Sequence, residues 1–312
     1  MTPRTDSPAS WLTRLDELAE RVGHTPLVPL TRAWSKPGVH LYAKLEWQQM
    51  AGSVKTRPAY RMVREAIEQG RLQPGMHLFD STSGNTGISY AAIGAYLGIG
   101  TTIVMPEDAS EERKTILRAL GAELLLTDPK LTSDEVFEHA QDLAARHADR
   151  YCYLNQYDNE ANWRAHFEGT AEEVYAQTDG RITHFVCGLG TCGTLIGTGR
   201  RLKQWNPAIQ LVALHPDVPD HAIEGWKHLD SSRHPQIYDP HLPNQHLRIS
   251  TKLAKQWMVR VAQTEGWLLS PSSAAALAGA VQIADTLEAG HVVAILPDDA
   301  SKYGAMWQQL AG

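Results

Sequence analysis

The sequence lacks the features that mark secreted, membrane-spanning and nucleic-acid-binding proteins. Its 312 residues include only three cysteines, an odd number without C-x-x-C spacing, which argues against a disulfide framework or a structural zinc site. No apolar run approaches the roughly 18 residues of a membrane span, and a net charge of -6 leaves no basic surface for nucleic acid. The first residues, MTPRTDSPASW, contain no apolar signal-peptide core. We therefore expect a soluble, cytoplasmic protein.

Histidine is frequent, with 14 residues, and a metal site has to be considered. The densest group is His215, His221, His228, His234, His241 and His246. Its irregular spacing offers no H-E-x-x-H motif and no H-x-x-x-H pair on one helical face, and metal sites need convergent ligands. We therefore expect surface histidines and no metal.

Short apolar runs alternate with longer amphipathic ones, which predicts an α/β protein with largely parallel strands. The predicted strands are 41–45, 77–79, 101–105, 123–126, 151–153, 182–186, 210–214 and 291–296. The predicted helices are 56–69, 86–97, 110–120, 134–146, 163–177, 194–204, 252–265 and 273–287. The segment 215–248, rich in proline and histidine, is predicted to be a long surface excursion.

Two stretches place reactive or anion-binding groups before helices. In Ala51–Pro58, Lys55 lies between a Gly-Ser turn and a helix, where a helix N-terminus lowers an amine's pKa and favours a Schiff-base nucleophile. By itself this position says little, because a lysine after a turn is usually solvated. In Ser81–Gly87, hydroxyls, an amide and two glycines form an anion cradle suited to a carboxylate. The alternative there is a well-capped helix.

Two further stretches also precede helices, and the first of them follows the strand predicted over 182–186. Gly188–Thr194 has the glycines and the following helix of a phosphate-binding loop. Because it also matches G-x-G-x-x-G, with Asp217 after the next strand, a nicotinamide dehydrogenase remains an alternative. In Ser270–Ala276, Ser272 has a hydroxyl suited to a ring nitrogen, although a helix N-cap explains it equally well.

In this order, the four stretches resemble the cysteine synthase family of fold-type-II pyridoxal-phosphate (PLP) enzymes. The resemblance runs from GHTPL at residue 23 to Asp298. In the stretches GRITHFV and GLGTCGTLIGTGR, the chain is most similar to the cysteine synthase B and O-phosphoserine sulfhydrylase branch of the family. It implies a two-lobed fold like that of the tryptophan synthase β subunit, with parallel-rich twisted sheets flanked by helices. Residues 46–147 would form a small mobile lobe, and 1–45 with 148–312 a large one.

The resemblance also implies roles for individual residues. Lys55 matches the catalytic lysine that forms the Schiff base with PLP and later moves the Cα proton. Ser272 matches the serine on the pyridine nitrogen, and Asn85 the asparagine beside the ring hydroxyl. The remaining cofactor residues, which match the 5′-phosphate cup, are Gly190, Thr191, Cys192, Gly193 and Thr194. The substrate-carboxylate residues are Thr82, Ser83, Gly84, Thr86 and Gln156.

The implied reaction is β-replacement through an aminoacrylate, in which an amino acid substrate and a sulfur nucleophile, sulfide or thiosulfate, give L-cysteine. Serine at the ring nitrogen leaves it largely unprotonated, which favours elimination. Members that use O-phosphoserine carry an arginine where this chain has Asp217, so O-acetylserine is the expected substrate. A homodimer is also implied, without membrane or nucleic-acid partners.

The chain departs from the family pattern at four positions near the cofactor: Thr56, Ser270, Ala274 and Ala275. These departures leave other reactions open: O-phosphoserine sulfhydrylase activity, synthesis of cystathionine, β-cyanoalanine or diaminopropionate, and serine or threonine deamination. A non-catalytic assembly partner with the same fold is a further alternative.

Overall fold

The computed structural model describes residues 7–311. The strands, in chain order, are β1 (Leu27–Pro29), β2 (Val39–Leu45), β3 (His77–Ser81), β4 (Thr101–Pro106), β5 (Glu123–Thr127), β6 (Tyr151–Tyr153), β7 (His184–Gly188), β8 (Gln210–Pro216), β9 (Gln245–Ile249) and β10 (Gly290–Leu296). The helices are α1 (Pro8–Ala19), α2 (Thr56–Glu68), α3 (Asn85–Leu97), α4 (Glu111–Ala119), α5 (Ser133–Arg146), α6 (Glu160–Ala165), α7 (Ala171–Gln177), α8 (Gly193–Trp205), α9 (Thr251–Glu265), α10 (Pro271–Thr286) and α11 (Gly304–Ala311).

The described residues form two compact units. The first comprises the described part of Met1–Val22 together with Lys55–Asn162. Its parallel sheet has the strand order β5-β4-β3-β6. Phe79 and Val104 on neighbouring strands are fully buried in a core shared with Val136 and Ala140 of α5. The central strands β3 and β4 are buried over nearly their whole length, as expected for a parallel sheet covered on both faces.

Helix α1 packs within this first unit. Tyr60 of α2 donates its hydroxyl to the Leu15 carbonyl at 3.0 Å, and Arg64 pairs with Asp16 at 2.7 Å. The Ser7 side chain caps the helix by accepting from the Ser10 amide. The predicted lobe boundaries, which place the N-terminal arm in the large lobe, stay a prediction.

The second unit comprises Gly23–Val54 and the described part of Trp163–Gly312. Its sheet has the order β1-β2-β10-β7-β8-β9 and is parallel except for the β1–β2 pair. Helices α9 and α10 supply one buried apolar layer, and α8 contributes Leu195, Ile196 and Leu202 to another. The carboxyl ends of β7 and β8 therefore meet at one edge of the sheet.

Most predicted elements are present with ends shifted by one or two residues. The helix predicted over 163–177 is interrupted by a π-helical turn, His166–Thr170, between α6 and α7. Strands β1 and β9 and helices α1 and α11 were not predicted. Part of the segment used for the signal-peptide prediction, residues 1–6, lies outside the described residues.

No helix within residues 7–311 combines the length and the apolar character needed to cross a bilayer.

Helix α8 offers a test of this packing because two of its glycines face different neighbours. A Cβ at Gly197 would overlap the Trp163 carbonyl oxygen, whereas a Cβ at Gly199 would come within 2.7 Å of a flexible Leu211 methyl. Alanine gains about 1 kcal/mol of helix propensity over glycine at either position. We expect Gly197→Ala to lose about 3 kcal/mol through overpacking, with Gly199→Ala near neutral. Thermal unfolding followed by circular dichroism measures both, and equal midpoints would contradict this packing.

Candidate active site

Lys55 immediately precedes α2. The chain reaches it through Ala51 and Gly52, which both have positive φ, 59° and 62°, so the backbone turns sharply before the helix. Lys55 is half-buried, and its carbonyl accepts the first helical bond from the Ala59 amide at 3.0 Å. The amine is thus carried on a short, defined segment at the positive end of a helix.

The predicted carboxylate loop follows β3 and ends at the start of α3. The Gly84 amide donates to the Thr82 hydroxyl at 3.1 Å, which fixes the turn. A Cβ at Gly84 would meet nothing within 4 Å, so space is open beside the loop. Asn85 and Thr86 form the first turn of α3. An anion beside Gly84 would lie at a helix N-terminus, where backbone amides favour negative charge.

Gln156 is joined to this loop by a buried hydrogen bond. Its side-chain carbonyl accepts from the Thr86 hydroxyl at 2.6 Å, and its amide group donates to the Ser81 carbonyl at 3.3 Å. The Asn162 side chain donates to the Gln156 backbone carbonyl at 2.7 Å. The structure therefore brings together Thr86 and Gln156, which are far apart in the sequence.

Beneath this loop lies Asp80, the penultimate residue of β3, whose side chain is fully buried. Burial raises the pKa of this carboxyl to about 7, although hydrogen bonds from Gln156, Ser81 and Tyr90 oppose the rise. The same burial, with the neighbouring Asp80, raises the pKa of Tyr90 well above its ordinary value. Asp80 was not among the predicted site residues. The available signal was an acidic residue directly after two apolar residues of the strand.

The predicted phosphate loop, Gly188–Thr194, leads into α8. Cys192 adopts a left-handed conformation, with φ 68°, immediately before the helix. Intrahelical bonding begins with the Ile196 amide donating to the Cys192 carbonyl at 3.0 Å. The amides of Gly193, Thr194 and Leu195 therefore have no intrahelical acceptor and form the positive end of the helix.

The excursion between β8 and β9 packs directly on this loop. The Lys227 amide donates to the Leu189 carbonyl at 2.7 Å. A Cβ at Gly190 would overlap the Gly225 carbonyl, and one at Gly188 would overlap the Trp226 ring. Glycine is therefore required at positions 188 and 190 by the excursion itself.

Thr194 has a buried partner that was not predicted. Its hydroxyl lies 3.3 Å from His166 Nε2, and His166 Nδ1 lies 2.9 Å from the Thr170 hydroxyl. His166 opens the π-helical turn, and such turns recur at functional sites. Only the folded chain shows this link, because a lone histidine in a helical pattern gives no signal.

Ser272 lies in the first turn of α10, and the N-cap of that helix is Ser270. The Ser272 hydroxyl is buried, lies 3.1 Å from the Ser270 hydroxyl, and donates to Asp298 at 3.3 Å. The sequence left open whether Ser272 caps this helix; the capping residue is Ser270.

The histidine-rich segment contains one close pair. His215 Nε2 and His246 Nδ1 are 2.7 Å apart, and their rings stack. Burial and the neighbouring His246 lower the pKa of His215 to about 4. Within residues 7–311, no group of three or more histidine, cysteine or acidic side chains is arranged to hold a metal ion.

Comparison with known proteins identifies the class. Residues 18–298 match the family described as pyridoxal-phosphate dependent enzymes, and the chain belongs to this family. It is 42% identical to a cysteine synthase of Aquifex aeolicus, over 92% of this chain and 90% of the relative. It is 38% identical to cysteine synthase B of Pseudomonas aeruginosa, over 92% and 95%. A crystal structure of cysteine synthase from Entamoeba histolytica aligns with TM-score 0.87 and 32% identity, covering 98% of this chain and 91% of that one.

These matches confirm the predicted fold class, the resemblance to the cysteine synthase family and the pyridoxal-phosphate cofactor. The chain is a pyridoxal-phosphate dependent enzyme. The nicotinamide alternative for the loop Gly188–Thr194 is therefore not retained.

The buried carboxyl of Asp80 predicts a pH dependence of stability. The pKa is about 7 in the folded chain against an ordinary value of 3.8, so the folded state holds the extra proton between these values. Stability from this group is present below about pH 4 and is lost as pH rises through 7. Each pKa unit of difference between the folded and unfolded states corresponds to about 1.4 kcal/mol, so the free energy of unfolding should fall by an amount on the order of 4 kcal/mol.

Asp80→Asn removes this titration. The wild-type midpoint of thermal unfolding should therefore fall, relative to that of the variant, as pH rises from 4 to 7. Parallel curves for the two proteins over this range would show that Asp80 does not hold a proton in the folded state.

Proposed function

We propose that this enzyme makes L-cysteine by β-replacement on an activated serine, with its cofactor bound covalently to Lys55. The observation that carries the proposal is the position of Lys55, half-buried at the start of α2, in a chain of the pyridoxal-phosphate family. A primary amine held there is suited to form a C=N bond with the cofactor's aldehyde and to exchange it for the substrate's amine.

The residues of the second unit suit the cofactor's phosphate and ring. The helix-terminal amides at Gly193 and Thr194, reached through Gly190, Thr191 and Cys192, would hold the 5′-phosphate. Ser272 would face the pyridine nitrogen. When bound, pyridoxal phosphate withdraws electrons from the substrate's Cα and so acidifies its proton.

The residues of the first unit suit the substrate. Thr82, Ser83, Gly84 and Thr86 would bind its carboxylate, with Gln156 orienting the Thr86 hydroxyl at 2.6 Å. Asn85, at the start of α3, would lie beside the cofactor's ring hydroxyl. The Lys55 amine, once released, would take the Cα proton and return it after the nucleophile has added.

The hydroxyl of Ser272 favours elimination over other reactions at Cα. A neutral serine does not protonate the ring nitrogen, so the ring remains a weaker electron sink than it would be beside a carboxylate. Asp298 is within hydrogen-bonding distance of Ser272, at 3.3 Å, but the serine hydroxyl is the group that we assign to the ring. This arrangement supports loss of the β-substituent followed by addition of a sulfur nucleophile, sulfide or thiosulfate.

We infer O-acetylserine rather than O-phosphoserine as the substrate. Leu189 of the phosphate loop donates to the Leu214 carbonyl at 3.0 Å, and Asp217 lies three residues beyond Leu214 at the same sheet edge. A carboxylate at this edge disfavours a dianionic leaving group. Assembly as a homodimer also remains part of this proposal.

Borohydride trapping tests the cofactor attachment. The protein should show a visible absorption band that borohydride abolishes by reducing the C=N bond, leaving the cofactor on the peptide that contains Lys55. Lys55→Ala should lack this adduct and lose at least about 10³-fold in turnover, because both the covalent link and the proton transfer are removed. Peptide mass spectrometry and a cysteine assay measure these, and a variant that retains activity would contradict the assignment.

Substrate preference tests the leaving group. With sulfide, O-acetylserine should give a higher kcat/KM than O-phosphoserine. Asp217→Asn should raise the O-phosphoserine value roughly fivefold by removing one charge, and leave the O-acetylserine value within roughly twofold. A preference of the wild type for O-phosphoserine would overturn the inference.

The same assay run with thiosulfate, homocysteine, ammonia and cyanide identifies the nucleophile. A protein that binds the cofactor but turns over none of these would support the assembly-partner alternative instead.

A further inference from the structure

The reaction roles above leave Asp80 unused, although it lies directly below the carboxylate loop. Its side chain is fully buried at the end of β3. One carboxyl oxygen accepts the Ser81 amide at 2.8 Å, and the other accepts both the Gln156 amide and the Tyr90 hydroxyl at 3.1 Å. A buried carboxyl is costly unless such donors surround it, so this arrangement needs an explanation.

Gln156 connects this carboxyl to the loop. Its backbone amide is held by Asp80, its backbone carbonyl by Asn162 at 2.7 Å, and its side chain reaches Thr86 at 2.6 Å. Gln156 is only 3% exposed. Its position is therefore fixed from below by Asp80, and the direction of its side chain follows from that position.

We propose that Asp80 is a positioning residue for the substrate's carboxylate, acting through Gln156 and the Thr86 hydroxyl. Asp80 holds the Gln156 backbone so that the Gln156 side-chain carbonyl accepts from the Thr86 hydroxyl. This bond fixes the first turn of α3, so that the backbone amides of the loop face the incoming anion. The inference rests on the proposed function, because it takes the Thr82–Thr86 loop as the carboxylate site.

Asp80→Asn separates this role from simple packing, because the amide has the same shape but only one oxygen. With that oxygen toward the Ser81 backbone amide, the new NH₂ group donates to the Tyr90 oxygen, so the carbonyl and the NH₂ group of the new side chain are each paired, and only the Gln156 backbone amide is left without an acceptor. In the opposite orientation the NH₂ group faces the Ser81 backbone N–H. Two donors then face each other, and neither has an acceptor. The first orientation is therefore favoured, and in it the Gln156 amide faces a donor and loses its partner.

The test compares two unreactive ligands of the cofactor-loaded enzyme, L-alanine and ethylamine, which differ only in the carboxylate. Each is titrated against the visible band of the cofactor. The wild type should bind L-alanine more tightly than ethylamine. Asp80→Asn should weaken L-alanine about tenfold, the size of a lost hydrogen bond with its unsatisfied partner, and leave ethylamine within about twofold.

Tyr90→Phe is the matched control. It removes the Tyr90 hydroxyl, the other donor to the same Asp80 oxygen, and keeps the hydrogen bond from the Gln156 backbone amide, so the preference for L-alanine should persist. If Asp80→Asn weakens both ligands equally, or if Tyr90→Phe loses the preference as fully, Asp80 has a structural role only and the proposal is overturned. Should Asp80→Asn fail to fold, Asp80→Ala, which leaves the Gln156 amide without an acceptor, must show the same selective loss.

The outcome for the wild type distinguishes the two levels of inference. If the wild type binds both ligands equally, the loop Thr82–Thr86 is not a carboxylate site, and the proposed function fails together with this inference. If the wild type discriminates and Asp80→Asn discriminates equally well, only the role of Asp80 is refuted.

Discussion

The buried carboxyl of Asp80 imposes a constraint on the whole polar end of the first unit. A carboxyl without exposed surface must find donors inside the protein, and here they come from its own strand, from α3 and from the segment after β6. One side chain thus ties together three pieces of chain. Because these pieces converge on Asp80, Thr86 at the start of α3 is brought within 2.6 Å of Gln156. Beside Gly84 this polar framework leaves open space, where we propose that the substrate's carboxylate binds.

In the second unit the corresponding constraint is steric. The loop after β7 is covered by the excursion, and Gly188 and Gly190 have no room for a Cβ beneath Trp226 and Gly225. The hydrogen bond between the excursion and the loop uses the Leu189 carbonyl and not the first amides of α8. His166 adds a polar contact to the Thr194 hydroxyl at the start of α8. The geometry of these backbone groups is therefore fixed by the surrounding packing, as the proposed phosphate site requires.

The parts of this architecture that the sequence predicts are those with local causes. The central parallel strands contain short apolar runs, and loops of small polar residues and glycines join them to helices, so both can be recognised from neighbouring residues. Strand β9 was missed because this edge strand is mostly exposed and polar, as in its sequence QHLRI. Asp80 was missed because its contact with Gln156 spans 76 residues, and His166 because Thr194 lies 28 residues away. Such links depend on tertiary packing, which periodicity and capping signals do not encode.

The residues around Ser272 that depart from the family pattern each have a defined place in the structure. The Ser270 hydroxyl accepts from the Ser273 backbone amide at 3.1 Å, so Ser270 caps the N-terminus of α10. Ala274 and Ala275 are fully buried members of the second unit's apolar core, where their methyl groups add packing. Meanwhile Ser272 keeps a hydroxyl held between Ser270 and Asp298. These substitutions therefore fill the helix cap and the core and leave the Ser272 hydroxyl in place, which is compatible with a working catalytic pocket.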